Sequence, residues 1–151
     1  MRKLKDEIVE IARPLVEARG AFLIDVSVHG ERGGRAIEIF LDTDEGVTTQ
    51  LCADVSRDLG SALDRTNMLN GRYNLVVSSP GTDRPLIFAR QYPKNKGRTF
   101  VVKYRTSTGI ERIEGKLIEA HPERIVLQVG DNESRTLLFD EILDARVKPL
   151  W

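Results

Sequence analysis

Residues 78–86 constrain the fold of this chain more than any other segment, because they separate two different sequence patterns. They read Ser-Ser-Pro-Gly-Thr-Asp-Arg-Pro-Leu and follow the strand-like run at residues 73–77. Pro80-Gly81 is typical of a type II turn, since proline fixes φ near about −65° and glycine accepts a positive φ. Ser79 and Arg84 each precede a proline, which favours extended backbone at both. We therefore predict a stiff junction of defined shape and not a flexible linker.

The N-terminal half begins with a helical pattern. Apolar residues recur at helical spacing over residues 4–19, and Gly20 is placed to end that helix. Pro14 lies inside the pattern, so we expect a bend or a break in the helix at that point. Residues 22–29 then alternate in the manner of a half-buried strand.

Further strand and helix signals complete this half. The alternation predicts one apolar face for the first strand, formed by Phe22, Ile24, Val26 and Val28. Residues 30–34, Gly-Glu-Arg-Gly-Gly, are typical of a hairpin turn before a second strand at residues 37–41. Thr48 is expected to cap a second helix, and residues 73–77 are expected to form a third strand. The order helix-strand-strand-helix-strand predicts a two-layer α/β domain of KH-like topology over residues 1–85.

The C-terminal half shows short strand-like runs separated by turn signals. They lie at residues 100–104, 113–118, 125–129, 136–139 and 145–147. Strands at this spacing, with a helical turn near residues 140–143, favour a small all-β domain, an SH3-like or Sm-like barrel, over residues 86–151. Gly115 lies within a strand and is expected to mark the bend that such a barrel needs. The sequence therefore predicts an α+β protein of two domains.

Charge is balanced over the whole chain but not along it. The 23 basic and 23 acidic residues cancel, so the global basic charge of a bulk nucleic-acid binder is missing. Residues 1–88 hold 11 basic and 14 acidic residues, a net charge of −3. Residues 89–151 hold 12 basic and 9 acidic residues, a net charge of +3. Opposite charges favour either docking of the two halves or two different contact surfaces.

The sequence lacks the side-chain sets that catalysis and cofactor binding need. His29 and His121 fall in different predicted domains, and neither lies near a serine or cysteine in a known nucleophile motif. Ser78 and Ser79 are not flanked by the glycines of a nucleophile elbow, so we expect their hydroxyls to bond to local backbone. Cys52 is the single cysteine, which excludes an internal disulfide and a cysteine-based metal cage. We expect no enzymatic activity, no cofactor and no metal site.

Two loops begin like ligand-binding motifs and then depart from them. Residues 42–46, Asp-Thr-Asp-Glu-Gly, start like a calcium loop but lack its later glutamate, so we interpret them as a solvated turn. Residues 30–33 match the Gly-x-x-Gly loop of KH domains. In KH domains that loop clamps a nucleic-acid backbone and joins two helices, whereas here it joins two predicted strands. We therefore interpret it as a hairpin tip.

The N-terminal residues give no sign of secretion or membrane insertion. They lack the apolar core of a signal peptide. No apolar run in the sequence approaches the length of a membrane span. We therefore expect a cytoplasmic protein.

Basic side chains are concentrated just after the junction, mixed with aromatic residues and uninterrupted by any acidic residue. The stretch contains Arg90, Lys94, Lys96, Arg98, Lys103 and Arg105. One interpretation is a partner surface formed by the last five of these, which binds RNA phosphates or an acidic protein face. The other is a solvated barrel edge, where lysine discourages the addition of a further strand.

Residues 78–86 also resemble the junction signature Ser-Ser-Pro-Gly-Leu-Asp-Arg-Pro-Leu of the ribosome maturation factor RimP family, with Thr82 in place of leucine. A second similar stretch is Gly-Val-Thr at residues 46–48 followed by Cys-Ala-Asp-Val-Ser-Arg-Asp-Leu at residues 52–59. Between these parts the family usually reads Leu-Asp-Asp, and this chain reads Thr-Gln-Leu. Ile-Asp-Val at residues 24–26, after Ala-Arg-Gly, is a weaker match. The resemblance follows the order and spacing of the family over nearly the whole chain.

This resemblance implies a non-catalytic assembly factor that binds the immature small (30S) ribosomal subunit. The implied partners are a small-subunit ribosomal protein near the decoding region, which associates with the C-terminal barrel, and ribosomal RNA, and we expect a monomer. The junction motif that it singles out consists of Ser78, Ser79, Gly81, Asp83 and Arg84. These residues either fix interdomain structure or contact a partner. The alternative function is a general RNA-binding module with a KH-like and an Sm-like half.

Overall fold

A computed structural model describes residues 3–31 and 33–149 of the chain. The chain divides into two compact units, residues 1–80 and 81–151. The predicted domain boundary after residue 85 stays a prediction, because compactness does not test independent folding. In the described part of the chain, no helix is both long and apolar enough to span a membrane.

The N-terminal unit has the predicted order helix-strand-strand-helix-strand. Its elements are α1 (Leu4–Ala18), β1 (Phe22–His29), β2 (Arg35–Asp42), α2 (Thr49–Asp64) and β3 (Tyr73–Ser78). The sheet order is β1-β2-β3, with β1 and β2 antiparallel and β2 and β3 parallel. The first two strands form the predicted hairpin through residues 30–34, of which Arg32 lies outside the described residues.

The core of this unit lies between the two helices and one face of the sheet. Ile37, Ile39 and Leu41 of β2 are fully buried, as their alternation predicted. Helix α2 begins where the sequence indicated, since the Thr48 hydroxyl oxygen accepts a hydrogen bond of 3.1 Å from the Leu51 N–H. Its stripe Val55, Leu59 and Leu63 is buried in the same core.

Helix α1 runs unbroken through Pro14, so a break there is excluded, and the alternative of a bend stays a prediction. Proline removes only one backbone donor from the helix. Ile8, Ala12 and Val16 lie on one stripe of α1 and are fully buried, and their packing holds the turns on both sides of the proline. The helix ends as predicted at Gly20, whose N–H donates to the carbonyl oxygen of Glu17 at 3.0 Å.

The strict alternation predicted for β1 is also wrong at one point. The pairing with β2 shifts between Leu23 and Asp25, which marks a β-bulge at Ile24. Because the bulge inserts one extra residue, the face of every later side chain changes. Leu23 and Val26 therefore both belong to the core, whereas Phe22 and Ile24 do not join that cluster.

The C-terminal unit is an antiparallel five-stranded sheet with the strand order β7-β6-β5-β4-β8. Its strands are β4 (Thr99–Thr106), β5 (Gly109–Ala120), β6 (Arg124–Gln128), β7 (Ser134–Leu138) and β8 (Ile142–Val147). This meander, with the last strand returning beside the first, is the order of the predicted SH3-like or Sm-like barrel. A short helical turn, Phe139–Glu141, precedes β8. The predicted α+β fold class is confirmed.

Gly115 allows a close approach of two neighbouring strands, and the bend that we expected at this residue stays a prediction. A Cβ atom there would lie 2.9 Å from the carbonyl oxygen of Gln128 and 3.1 Å from the Cβ of Leu127, both on β6 or beside it. Only glycine allows β6 to approach β5 this closely. Strand β5 can therefore pair with β4 along its first part and with β6 along its second part.

Candidate partner-binding surface

The junction segment begins at the end of β3 with Ser78 and Ser79. Within the part of the chain that the structure describes, neither hydroxyl forms a hydrogen bond. The expectation that these hydroxyls bond to local backbone is therefore wrong. Ser78 is half-buried and Ser79 is exposed, so the Ser79 hydroxyl is accessible to a partner.

Gly81 gives the segment the turn that Pro80-Gly81 predicted. Its φ is +70°, a left-handed backbone conformation that is energetically costly for residues other than glycine. A Cβ at this position would lie 3.1 Å from Oδ1 of Asp83. The turn and the Asp83 side chain are therefore close neighbours.

Two hydrogen bonds tie the following residues to β8, and both are accepted by backbone carbonyl oxygens. Arg146 donates from Nη1 to the carbonyl oxygen of Asp83 at 2.7 Å, and the Leu86 N–H donates to the carbonyl oxygen of Ala145 at 2.8 Å. The exposed carboxylate of Asp83, by contrast, has no hydrogen bond or ion pair with a described residue. Arg84 is half-buried and already has an interaction within the chain. The segment from Asp83 to Leu86 is thus held by its backbone, which leaves the Asp83 charge accessible.

Sequence reasoning missed Gln91, which shapes the chain just after the junction. The side chain is buried, and its Oε1 accepts hydrogen bonds from the Ile87 N–H at 2.8 Å and the Phe88 N–H at 2.9 Å. Its backbone carbonyl accepts a further bond from Nδ2 of Asn95 at 2.8 Å. A single glutamine inside a basic stretch carries no sequence signal of burial.

The structure divides the predicted basic patch. Lys103 and Arg105 project outward from β4, because the alternate residues of that strand are buried in the core. Lys94, Lys96 and Arg98 precede β4, and the Gly97 N–H between them donates to the Leu117 carbonyl oxygen at 2.8 Å. Five residues of extended strand place Lys103 about 17 Å from Arg98. The five cations therefore do not form one compact cluster.

Strand β4 is flanked by β5 and β8, so it is not an edge of the sheet. Lysine protects a sheet from further pairing only on an edge strand. The interpretation of Lys103 and Arg105 as edge protection is therefore wrong. Their exposure on a central strand requires another explanation.

A groove of about 390 Å³ lies on the outer face of β5, β4 and β8. Its basic lining residues are Lys103, Arg112, Arg146 and Lys148, and its apolar ones are Val101, Val147 and Pro149. Thr82 of the junction segment and Asp144 of β8 complete the described lining. The groove thus joins one predicted patch residue, Lys103, to the junction segment.

Ion pairing leaves two of these cations without a partner. Arg146 pairs with Asp144 at 3.1 Å, and Lys148 pairs with Glu114 at 3.1 Å. Lys103 and Arg112 have no ion pair or side-chain hydrogen bond to any residue that the structure describes. They lie directly opposite each other in the β4–β5 register. The groove therefore has an excess of positive charge at this point.

A comparison with protein families identifies the N-terminal unit. The family model described as the RimP N-terminal domain matches residues 11–83. The match covers most of α1 and all of β1, β2, α2 and β3. Residues 11–83 therefore form a domain of the RimP family. This is the family that the junction signature indicated, and it is a family of ribosome maturation factors.

The RimP match ends inside the junction segment. It includes Ser78, Ser79, Gly81 and Asp83 but stops before Arg84 and the basic stretch. The groove residue Thr82, at the position where the RimP signature usually has leucine, also falls within the match. A hydroxyl therefore lines the groove where the family signature would place an alkyl side chain.

One Ser–His contact in the N-terminal unit needs a chemical explanation. The hydroxyl oxygen of Ser27 lies 2.6 Å from Nε2 of His29, and the same Nε2 lies 3.9 Å from Oε1 of Glu38. In a catalytic triad the two ring nitrogens have separate partners, one the nucleophile and the other the acid. Here one nitrogen faces both partners at the exposed end of β1, so the arrangement is not that of a triad.

Other titratable groups lie apart from the groove. His121 bonds to Glu119 at 2.8 Å in the C-terminal unit, and Cys52 is half-buried in α2, where burial raises the pKa of its thiol. Burial also raises the pKa of Tyr92, whose ring stacks on Phe100 with centroids 5.6 Å apart. Among residues 3–31 and 33–149, no three His, Cys, Asp or Glu side chains are grouped so that they could hold a metal ion.

Proposed function

We propose that this chain is a non-catalytic, cytoplasmic assembly factor that binds the immature small (30S) ribosomal subunit as a monomer. The observation that carries this proposal is the match of residues 11–83 to the RimP N-terminal domain. The match supports a role in ribosome maturation, and the small subunit is the finer part of the proposal. The partners that we propose are a small-subunit ribosomal protein near the decoding region and ribosomal RNA.

Differential binding is the mechanism that we propose. A factor that binds one conformation of the immature subunit more tightly than the others shifts the folding equilibrium towards that conformation. Such a factor must also leave, which suits a chain of formal net charge +0 better than a strongly basic one. The opposite net charges of residues 1–88 and 89–151 suit two distinct contact surfaces.

Asp83 is the junction residue that we propose for direct partner contact, together with Ser79. Its carboxylate is exposed and has no partner among the described residues, whereas its carbonyl oxygen holds Arg146. The other motif residues Ser78, Gly81 and Arg84 would shape the segment around it. A cationic group of the partner would therefore form an ion pair with the Asp83 carboxylate without disturbing the fold.

The first test is co-sedimentation of the purified chain with 30S subunits, 50S subunits and 70S ribosomes across a salt series. We expect selective binding to 30S subunits that persists at moderate salt. The variant Asp83→Asn keeps the backbone bond to Arg146 and removes only the charge. We expect it to weaken subunit binding roughly tenfold, the effect of losing one charged hydrogen bond, with an unchanged urea midpoint.

Asp131→Asn is the matched control, because Asp131 is also an exposed acid of the C-terminal unit and lies outside the junction. It should leave binding unchanged. Equal losses in both variants would contradict a contact at Asp83. Equal, salt-sensitive binding to both subunits and to whole ribosomes would contradict the small-subunit proposal.

A general RNA-binding module is the second candidate, and one observation favours it. Lys103 and Arg112 present unpaired positive charge on a central part of the C-terminal sheet, within the described residues. Tight binding to free RNA of many sequences, with a steep salt dependence, would support this candidate.

A further inference from the structure

Lys103 and Arg112 are opposite partners in an antiparallel strand pair, and both side chains are exposed. Like charges directly opposite each other destabilise a sheet. The acidic neighbour of Lys103 on the other side is Asp144, which is paired with Arg146 at 3.1 Å. The isolated chain therefore retains an unfavourable charge pair that an anionic ligand would relieve.

The geometry suits an anion that accepts from two cations at once. Neighbouring strands lie about 4.8 Å apart, so the stems of Lys103 and Arg112 leave the sheet side by side. A phosphate offers several oxygens to such a pair, and the guanidinium fork of arginine matches phosphate well. Both cations lie within the groove of about 390 Å³, inside the ~300–1,000 Å³ range of sites that hold small ligands.

The rest of the groove distinguishes a nucleic acid from an acidic peptide. Val101 and Pro149 add apolar surface next to the cations, and Thr82 adds a hydroxyl group. A polyglutamate segment offers carboxylates but nothing flat to cover the apolar part. A single-stranded nucleic acid offers phosphates, sugar hydroxyls and uncharged rings along one strand.

We propose that the groove on the outer face of β5, β4 and β8 binds a single-stranded RNA segment. One phosphate contacts Lys103 and Arg112, and the adjoining ribose or base lies over Val101 and Pro149. Arg146 stays engaged with Asp83 and Asp144 and therefore shapes the groove. The inference does not require that the RNA belongs to the small subunit.

The test is fluorescence anisotropy of a labelled oligouridine of roughly 12 nucleotides, within the ~4–16 nucleotide site sizes of single-strand-binding modules. Affinity is measured from about 50 to 200 mM salt, where each phosphate contact contributes a slope of about −0.7. We expect Lys103→Gln and Arg112→Gln each to weaken binding roughly three- to fivefold and to reduce the slope by up to about 0.7. Both residues are exposed and each variant removes one charge of the like-charged pair, so a melting temperature equal to or slightly above that of the parent chain is the check on folding.

Lys96→Gln is the matched control. It removes the same charge from an exposed lysine of the same unit that does not line the groove. We expect it to leave affinity and slope unchanged. Equal effects of all three variants would show diffuse electrostatic attraction and would overturn the proposal.

Two further probes separate the possible ligands. A labelled polyglutamate peptide of the same length is expected to bind more weakly than the RNA. Stronger binding of the peptide, with the same dependence on Lys103 and Arg112, would overturn RNA in favour of an acidic protein. Inorganic polyphosphate carries charge without rings, so binding as tight as that of RNA would overturn the predicted contact over Val101 and Pro149.

This test and the co-sedimentation test fail independently. Subunit binding that survives in Lys103→Gln and Arg112→Gln, together with no RNA binding by the parent chain, would overturn this inference alone. Groove-dependent RNA binding without selective sedimentation on 30S subunits would support the inference and overturn the proposed subunit specificity.

Discussion

The backbone carbonyl oxygen of Asp83 accepts a hydrogen bond of 2.7 Å from Nη1 of Arg146. Arg146 also pairs through Nε with Asp144 at 3.1 Å, so its guanidinium bridges β8 and the junction segment. The Asp83 carboxylate takes no part in this contact and is exposed. The shape of the segment and its free charge thus depend on different atoms of one residue.

Replacing Arg146 with glutamine should loosen the junction segment. The change removes one charged hydrogen bond at a half-exposed site, so we expect a loss of about 0.5–1.5 kcal/mol in the free energy of unfolding. The Leu86 N–H, which donates to Ala145 beside it, should exchange with solvent faster. Urea unfolding and hydrogen exchange measure the two effects.

Lys148→Gln is the control for this variant, because it removes an exposed ion pair with Glu114 and leaves the segment alone. We expect almost no loss of stability and no change at Leu86. Unchanged exchange at Leu86 in Arg146→Gln would show that the bond to Asp83 does not hold the segment.

Gly81→Ala and Gly97→Ala should destabilise the chain by similar amounts. Both glycines have a positive φ, +70° and +89°, which costs other residues about 1 kcal/mol. The new methyl group at residue 81 would also meet Oδ1 of Asp83 at 3.1 Å, whereas residue 97 has open space around it. The exposed Asp83 side chain can move, so we expect this contact to add little to the cost.

Subunit binding should separate these two variants. Only Gly81→Ala displaces the Asp83 carboxylate, so only this variant should weaken co-sedimentation at equal stability. An equal loss of binding in both variants would mean that stability alone controls binding, and Asp83 would not be a contact residue.

Gly115→Ala and Gly60→Ala should change stability in opposite directions. A Cβ at Gly115 would lie 2.9 Å from a backbone oxygen of β6, and the backbone cannot yield easily, so we expect a loss of about 2–3 kcal/mol. Gly60 lies in α2 with no atom near its Cβ position, and alanine should stabilise the helix by about 0.5–1 kcal/mol. Urea unfolding compares both variants with the parent chain. A loss at Gly115 below about 0.5 kcal/mol, the size of an ordinary surface effect, would contradict the close approach of β6.

Stability should fall at alkaline pH as Tyr73 ionises. Burial, together with the hydrogen bond that its hydroxyl donates to Asp64 at 2.8 Å, raises the pKa of Tyr73 to about 12. In the unfolded chain the tyrosine pKa is about 10. The folded pKa is the higher one, so this contribution is complete below about pH 10 and is lost as pH rises towards 12.

Urea midpoints measured from about pH 9 to pH 12, a range that spans both pKa values, test this effect. Tyr73→Phe cannot ionise at this position, so its midpoint should fall less over the window than that of the parent chain. Tyr92 contributes equally to both proteins and does not affect the difference. Parallel curves for the two proteins would contradict the raised pKa.

Local sequence signals predicted much of the secondary structure. The Thr48 cap, the Gly20 helix end and the five strands of the C-terminal unit are confirmed, because each depends on neighbouring residues. The break at Pro14 and the unbroken alternation of β1 were wrong. In both cases packing against the core outweighed the local preference, through the buried stripe of α1 and the bulge at Ile24.

The candidate site was predictable only in part. Asp83 and Lys103 were singled out from the sequence, and the structure places Asp83 beside the groove wall and Lys103 within it. Arg112 and Arg146 were missed, because their spacing in the sequence gives no sign that they share a face with Lys103. Gln91 was missed for the same reason, since its burial depends on turns that fold around it.

The sequence by itself determined the order of helices and strands, the turn at Pro80-Gly81 and the RimP family signature at residues 78–86. These depend on backbone preferences and on the periodicity of neighbouring side chains, which act over a few residues. Only the tertiary structure decided that Arg146 holds the carbonyl of Asp83 and that Lys103 lies opposite Arg112. Those contacts depend on the register of strands that are distant in the chain, and register is set by how the whole core packs.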